Sequence, residues 1–180
     1  MAETALIAID GQNDFCPGGA LAVTDGDAVV KPVNALLNTF DIKVLTQDWH
    51  PADHSSFADN HDGAEPCSTA QMAYGTQVLW PAHCIQGRDG AAFHADLEID
   101  RADLIVRKGF RSAIDSYSAF FENDKTTQSG LAGYLRERTV KKVGLCGLAT
   151  DFCVYYSAID AVSAGFEVTL VEDACRAIDL

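Results

Sequence analysis

The sequence predicts an α/β fold, an open parallel sheet with flanking helices. Short apolar runs rich in branched residues recur along the chain, and helical patterns lie between them. At 180 residues and 48% hydrophobic content the chain has material for one sizeable core. Residues 5–9 open as a buried strand, five apolar side chains in a row that stop at Asp10. A helix over 28–40 follows, with Val29, Val33, Leu36 and Leu37 on one face. Residues 42–46 and 104–106 are the second and third strands, and 131–138 carry the next helical pattern. Residues 143–146 then run through Gly147 into a helix over 152–164, and 168–171 form the last strand. Such alternation calls for right-handed crossovers.

Residues 51–100 break this pattern into Gly, Pro, His and polar residues, a connection long enough to be expected to carry function. No repeat, low-complexity tract or linker divides the chain, so 1–180 is expected to be a single domain. Its last residues, 174–180, close without a helix to cover them.

Charge narrows the partners. With 26 acidic residues against 13 basic ones, a net charge of -13 disfavours the phosphate-neutralising surface that nucleic acid requires. The first residues lack a basic leader and turn polar at Asp10, and no apolar run is long enough to span a bilayer, so a cytoplasmic address without membrane contact is expected. In that compartment the six cysteines read as thiols.

The reactive residues fall at the carboxyl ends of the expected strands. Asp10 follows the first, Asp48 and His50 the second, Lys108 the third and Cys153 the fourth. Those ends meet in one crevice of an open parallel sheet, which is where ligands bind. A thiol at a helix N-terminus is expected to favour thiolate, with the backbone N–H groups of Ala149 and Cys153 facing an oxyanion. Read alone, Cys153 is equally a buried helix-start cysteine and Asp151 a plain N-cap. Asp10 as proton acceptor and Lys108 as its counter-charge shift the balance toward catalysis. Cys146 reads as core strand. Cys16 and Cys84 could line the pocket and oxidise, yet like Cys67 and Cys175 they lack an acid and a lysine at matching strand ends, so all are expected to be structural.

Asp48, His50 and His83 are a donor set for one divalent ion, zinc, iron or manganese, and His54 is a candidate fourth ligand. His61 and His94 read as ordinary loop histidines. Phe15, Trp80 and Tyr117 could wall a slot for a flat ring, or simply pack in the core.

The segments Asp10-Gly11-Gln12-Asn13-Asp14-Phe15, Gln47-Asp48-Trp49-His50-Pro51, Trp80-Pro81-Ala82-His83-Cys84, Lys108-Gly109, Asp115-Ser116-Tyr117-Ser118-Ala119-Phe120 and Gly147-Leu148-Ala149-Thr150-Asp151-Phe152-Cys153 together resemble the nicotinamidase/pyrazinamidase family of the isochorismatase-like hydrolases. The match runs in order over nearly the whole chain, and the Asp-Trp-His-Pro and Trp-Pro-x-His-Cys pair is its most specific part. The resemblance implies the isochorismatase-like hydrolase fold and a triad of Asp10, Lys108 and Cys153. It also implies an oxyanion hole at the backbone of Ala149 and Cys153, and a non-proline cis peptide at Leu148-Ala149. It further implies one metal ion at Asp48, His50 and His83, with zinc foremost, while His54 matches a ligand that only some members use. Phe15, Trp80 and Tyr117 match the substrate pocket, and Phe152 stands where some relatives carry His. Members continue past residues 173–175 with a further helix, which 1–180 is expected to lack.

The implied activity is hydrolysis of nicotinamide, and of pyrazinamide, to the acid and ammonia through a thioester on Cys153, within NAD salvage. A homo-oligomer is left open. The alternatives are another isochorismatase-like hydrolase acting on isochorismate or a different small amide, and a catalytically silent metal-binding module. Ammonia release from a panel of amides separates them.

Overall fold

The five expected strands all form, and each is longer than its apolar run. The computed structural model describes residues Glu3 to Asp179; Met1 and Ala2, where the leader reading begins, and Leu180, where the final run ends, lie outside them. The sheet strands are β1 (Thr4–Ile9), β2 (Ile42–Asp48), β5 (Leu104–Lys108), β6 (Lys142–Leu148) and β7 (Glu167–Arg176). They lie side by side in the order β5-β2-β1-β6-β7, every neighbouring pair parallel. The central strands are buried almost throughout, which is why β1, β2 and β6 read as unbroken apolar runs. The edge strands β5 and β7 carry exposed residues between buried ones.

This order reverses direction at one place. From β1 the chain adds β2 and then β5 on one side, and then returns to lay β6 against the other side of β1. The crevice above β1 and β6 is therefore the topological switch point of the sheet, where ligands bind in open α/β folds. Asp10 leaves β1 there and the segment after β6 leads to Cys153.

The helix expected over 28–40 is shorter. Gly26–Val29 is a 3-10 turn and α1 covers Val30–Leu37. Pro32 has no N–H to donate to Ala28, so the α-helical ladder cannot reach back through that turn. The Asn38 amide donating to Asn34 O (2.8 Å) and the Thr39 hydroxyl donating to Leu36 O (2.9 Å) take up carbonyls at the other end. Val29, Val33 and Leu37 are buried as expected, Val30 joins them, and Leu36 is only partly covered. Helix α2 spans Leu131–Glu137 and α3 Tyr155–Ser163.

Residues 51–100 are not structureless. They contain the antiparallel hairpin β3 (Thr69–Met72) and β4 (Gly75–Val78), which alternates polar and small residues and so lacks the branched-apolar signature of a sheet strand. Among the described residues no helix is long and apolar enough to cross a membrane.

Candidate active site

At the carboxyl end of the sheet, Lys108 sits between two carboxylates. Asp48 and Lys108 are directly paired across β2 and β5, so their side chains leave the same face. The Lys108 ammonium lies 2.5 Å from Asp48 Oδ1, 2.9 Å from Asp10 Oδ2 and 3.4 Å from Cys153 Sγ, and also donates to Ser116 O at 3.1 Å. All four side chains are buried. Burial alone would pull the lysine pKa down, but Asp10 and Asp48 hold it well above its ordinary value. Burial likewise works to raise Asp48, yet Lys108 and His50 keep it far below the usual carboxylate range.

Asp10 goes the other way. Its carboxyl is raised to about 6 by burial, with the Asp48 charge adding to that and Lys108 and Thr46 opposing it. Oδ1 accepts the Thr46 hydroxyl at 2.6 Å, while Oδ2 has the lysine nearby but accepts no directional hydrogen bond. One carboxylate oxygen is thus left to take a proton. Lys108→Met, which strands two buried carboxylates without a counter-charge, is expected to lower the unfolding free energy by about 3–5 kcal/mol. A urea melt checks this, and an unchanged midpoint would show that the carboxylates share a proton instead.

Cys153 does not open an α-helix. Thr150–Val154 is a π-turn, closed by Val154 N–H donating to Ala149 O at 3.1 Å, and α3 begins only after it. The extra residue in the turn lodges Cys153 inward over the switch point. The thiolate expectation from the helix N-terminus is therefore corrected: burial pushes the Cys153 thiol well up, Lys108 opposes it, and Asp10 and Asp48 add to it. That direction favours the thiol form, for which a neighbouring base is useful. Asp151 is not an N-cap either. Its two carboxylate oxygens accept the backbone N–H of Ile178 and Asp179, both at 3.0 Å, tying the end of the described chain to this turn. The peptide between Leu148 and Ala149 is cis, as the resemblance implies. Gly147, at φ +111°, has no room for a side chain, since a Cβ would lie 2.1 Å from Ile9 O.

Beside this cluster the metal-type donors converge. His50 Nε2 lies 3.7 Å and His83 Nε2 4.0 Å from Asp48 Oδ2. Both imidazoles use Nδ1 on a backbone carbonyl, His50 on Gly109 O and His83 on Pro81 O, each at 2.8 Å. That leaves the two Nε2 lone pairs facing the same carboxylate, and the three donor atoms lie within 4.8 Å of one another. The spacing suits ligands each about 2.0–2.2 Å from one ion. Burial and the neighbouring His50 bring His83 down to about 4, whereas in His50 the pull of burial is outweighed by the Asp48 carboxylate, which raises it. His54 packs against His50 with the rings tilted at 45° and centroids 4.4 Å apart, but its ring nitrogens engage Ser56 Oγ (2.7 Å) and Ile114 O (3.2 Å). It groups with His50 and Asp115 rather than with the first three.

Gly109 makes room for this arrangement. At φ +65° any side chain there is strained, and a Cβ would lie 2.3 Å from the His50 ring. Gly109→Ala is expected to weaken metal binding at least about tenfold by displacing His50, measured by competition with a chelator. Unchanged affinity would remove His50 from the ligand set.

Above these groups lies a pocket with about 330 Å³ of empty space, part of it open to solvent. Phe15, Trp80 and Tyr117 line it together with Asp48, His50, His83, Ala149 and Cys153, so the expected wall residues and reactive residues share one pocket. Phe152 completes the wall, edge-on to Trp80 (4.8 Å) and Tyr117 (5.4 Å). Leu21, Asp115 and Ile178 also line it; Asp115 opens one of the motifs without a role assigned to it there, and the sequence points to neither of the other two. Cys16 and Cys84 do not line it; Cys84 is buried and its N–H donates to Asp14 Oδ2 at 2.6 Å. Gln12, another residue without a motif role of its own, clamps Asp48. Its amide donates to Asp48 O (2.8 Å) and accepts from Asp48 N–H (2.7 Å).

A parallel sheet with acid, lysine and thiol at its switch point defines a class, and residues 4–180 match the isochorismatase domain. The chain belongs to the isochorismatase family. It is 53% identical to the nicotinamidase of Acinetobacter baylyi, over 98% of this chain and 82% of that protein. Among solved structures, a nicotinamidase/pyrazinamidase from Acinetobacter baumanii superposes with a TM-score of 0.98 at 54% identity, covering 100% of this chain and 87% of that one. A pyrazinamidase of Pyrococcus horikoshii, solved in complex with zinc, matches with a TM-score of 0.79 at 38% identity, covering 98% and 88%.

Proposed function

We propose that the chain is a metal-dependent cysteine amidohydrolase that converts nicotinamide to nicotinate and ammonia, and that it also hydrolyses pyrazinamide. The observation that carries this reading is the meeting of Cys153, Lys108 and Asp10 with the Asp48, His50 and His83 donors in one small aromatic-walled pocket. The 53% identity to a nicotinamidase supports the choice of substrate.

In this reading Asp10 takes the Cys153 thiol proton as Sγ attacks the carboxamide carbon. The backbone N–H groups of Ala149 and Cys153 receive the oxyanion. The C–N bond then breaks, Asp10 returns the proton to the leaving nitrogen, and ammonia departs from a thioester. Asp10, again a carboxylate, deprotonates the water that attacks the thioester, and nicotinate leaves as the thiol re-forms. Lys108 keeps the charge of this cycle balanced and holds Asp10 at the sulfur. Asp48, His50 and His83 would hold a divalent ion, zinc foremost, which would supply a Lewis-acid contact for the pyridine nitrogen. Phe15, Trp80, Tyr117 and Phe152 hold the ring flat.

Ammonia release from nicotinamide and pyrazinamide, against isochorismate and unrelated amides, tests the proposal. Turnover of both ring amides is expected, and turnover of only the others would reassign the substrate.

A further inference from the structure

The hairpin in the 51–100 region sends one polar side chain inward. Gln77, on β4, is 1% exposed and lies behind the pocket wall. The two hydrogens of its Nε2 are shared among three acceptors in reach, Asp115 Oδ2 (2.8 Å), the Tyr117 hydroxyl (2.7 Å) and Val78 O (2.8 Å), while its Oε1 accepts from Asn123 Nδ2 (3.0 Å) and Tyr74 OH (3.1 Å). With a carboxylate on one side and an amide donor on the other, the Gln77 amide has one orientation. The Tyr117 oxygen also accepts the Trp80 indole N–H at 3.2 Å, so two N–H donors occupy it and join two pocket walls to the same buried glutamine. Tyr117 is packed from behind by Tyr156 (5.3 Å, stacked) and edge-on by Phe152, and its backbone N–H donates to Asn123 Oδ1 at 3.1 Å.

We propose that Gln77 is a positioning residue for the ring slot: acting through the Tyr117 hydroxyl, it fixes Tyr117 and Trp80 and so sets which ring sizes the pocket accepts. The inference rests on the reading of this pocket as the nicotinamide site. Gln77 touches none of the reacting atoms. Its loss loosens two walls while Cys153, Asp10 and Lys108 stay in place, so discrimination falls more than the chemical step.

The test is a cycle of Gln77→Met, Tyr117→Phe and the double variant, assayed with nicotinamide and the bulkier 5-methylnicotinamide. Each single variant should lower kcat/KM for nicotinamide about tenfold, mainly through KM, and narrow the preference over 5-methylnicotinamide by about threefold or more. The double variant should lose no more than the worse single one, because both act on one hydrogen bond. Additive losses or an unchanged preference overturn the proposal. If Gln77→Met does not fold, Tyr117→Phe alone must still narrow the preference, and failure to do so overturns the proposal equally. Wild-type protein that releases no ammonia from nicotinamide overturns the reading of the site itself. The ring preference is then read from binding of nicotinate and 5-methylnicotinate by Trp80 fluorescence in a Trp49→Phe background, where an equal preference with and without Gln77 overturns the positioning role.

Discussion

Cys153→Ala is expected to abolish ammonia release from nicotinamide, with kcat falling by about 10⁴-fold or more. The sulfur is placed against both Lys108 and Asp10, at 3.4 Å from the ammonium and grouped with the Asp10 and Asp48 carboxylates. Single replacement of Cys16, Cys84, Cys146 or Cys175 should cost far less, since these buried thiols do not line the pocket. Asp10→Asn should fall almost as far as Cys153→Ala. It keeps the shape and the Thr46 contact but cannot accept the thiol proton, and burial pushes the thiol pKa well up. Near-normal turnover by Asp10→Asn would place the base elsewhere.

The second large effect concerns the metal. Stripping the ion, or replacing His50 or His83 by Ala, is expected to lower kcat/KM for nicotinamide by about 10²-fold or more through lost orientation of the ring. The protein should stay folded, because the core of the sheet lies in β1, β2 and β6 rather than at the donors. Benzamide has the ring but no lone pair, so in metal-loaded enzyme it should be hydrolysed far less efficiently than nicotinamide or pyrazinamide. Chelation should narrow that gap. Comparable efficiency for benzamide and nicotinamide in the loaded form would remove the ring-orienting role.

Much of this site is legible in the sequence for one physical reason: a parallel sheet gathers its strand ends, so Asp10, Asp48, Lys108 and the residues after β6 are neighbours once the strands are known. What the strand pattern does not contain is register and turn geometry. The direct pairing of Asp48 with Lys108 ties the metal-type donors to the Asp10, Lys108 and Cys153 cluster, whereas the sequence points Asp48 to the metal alone. The π-turn that lodges Cys153 inward has the same composition as an α-helix start, so its burial and raised pKa are invisible beforehand. Gln77 and the β3–β4 hairpin carry no apolar periodicity, and Gln12 and Asp151 act through backbone groups that no side-chain pattern reveals. The same holds for Pro32, whose missing N–H shortens α1 although the apolar face continues through it.

The most direct measurement is mass spectrometry of metal-loaded enzyme quenched in acid during turnover of nicotinamide, followed by peptide mapping. A nicotinoyl thioester on the peptide containing Cys153, present during turnover, gone after substrate exhaustion and missing from Cys153→Ala, is the expected result. An acyl group on a different cysteine, or full turnover by Cys153→Ala, would contradict the assignment of Cys153 as the nucleophile.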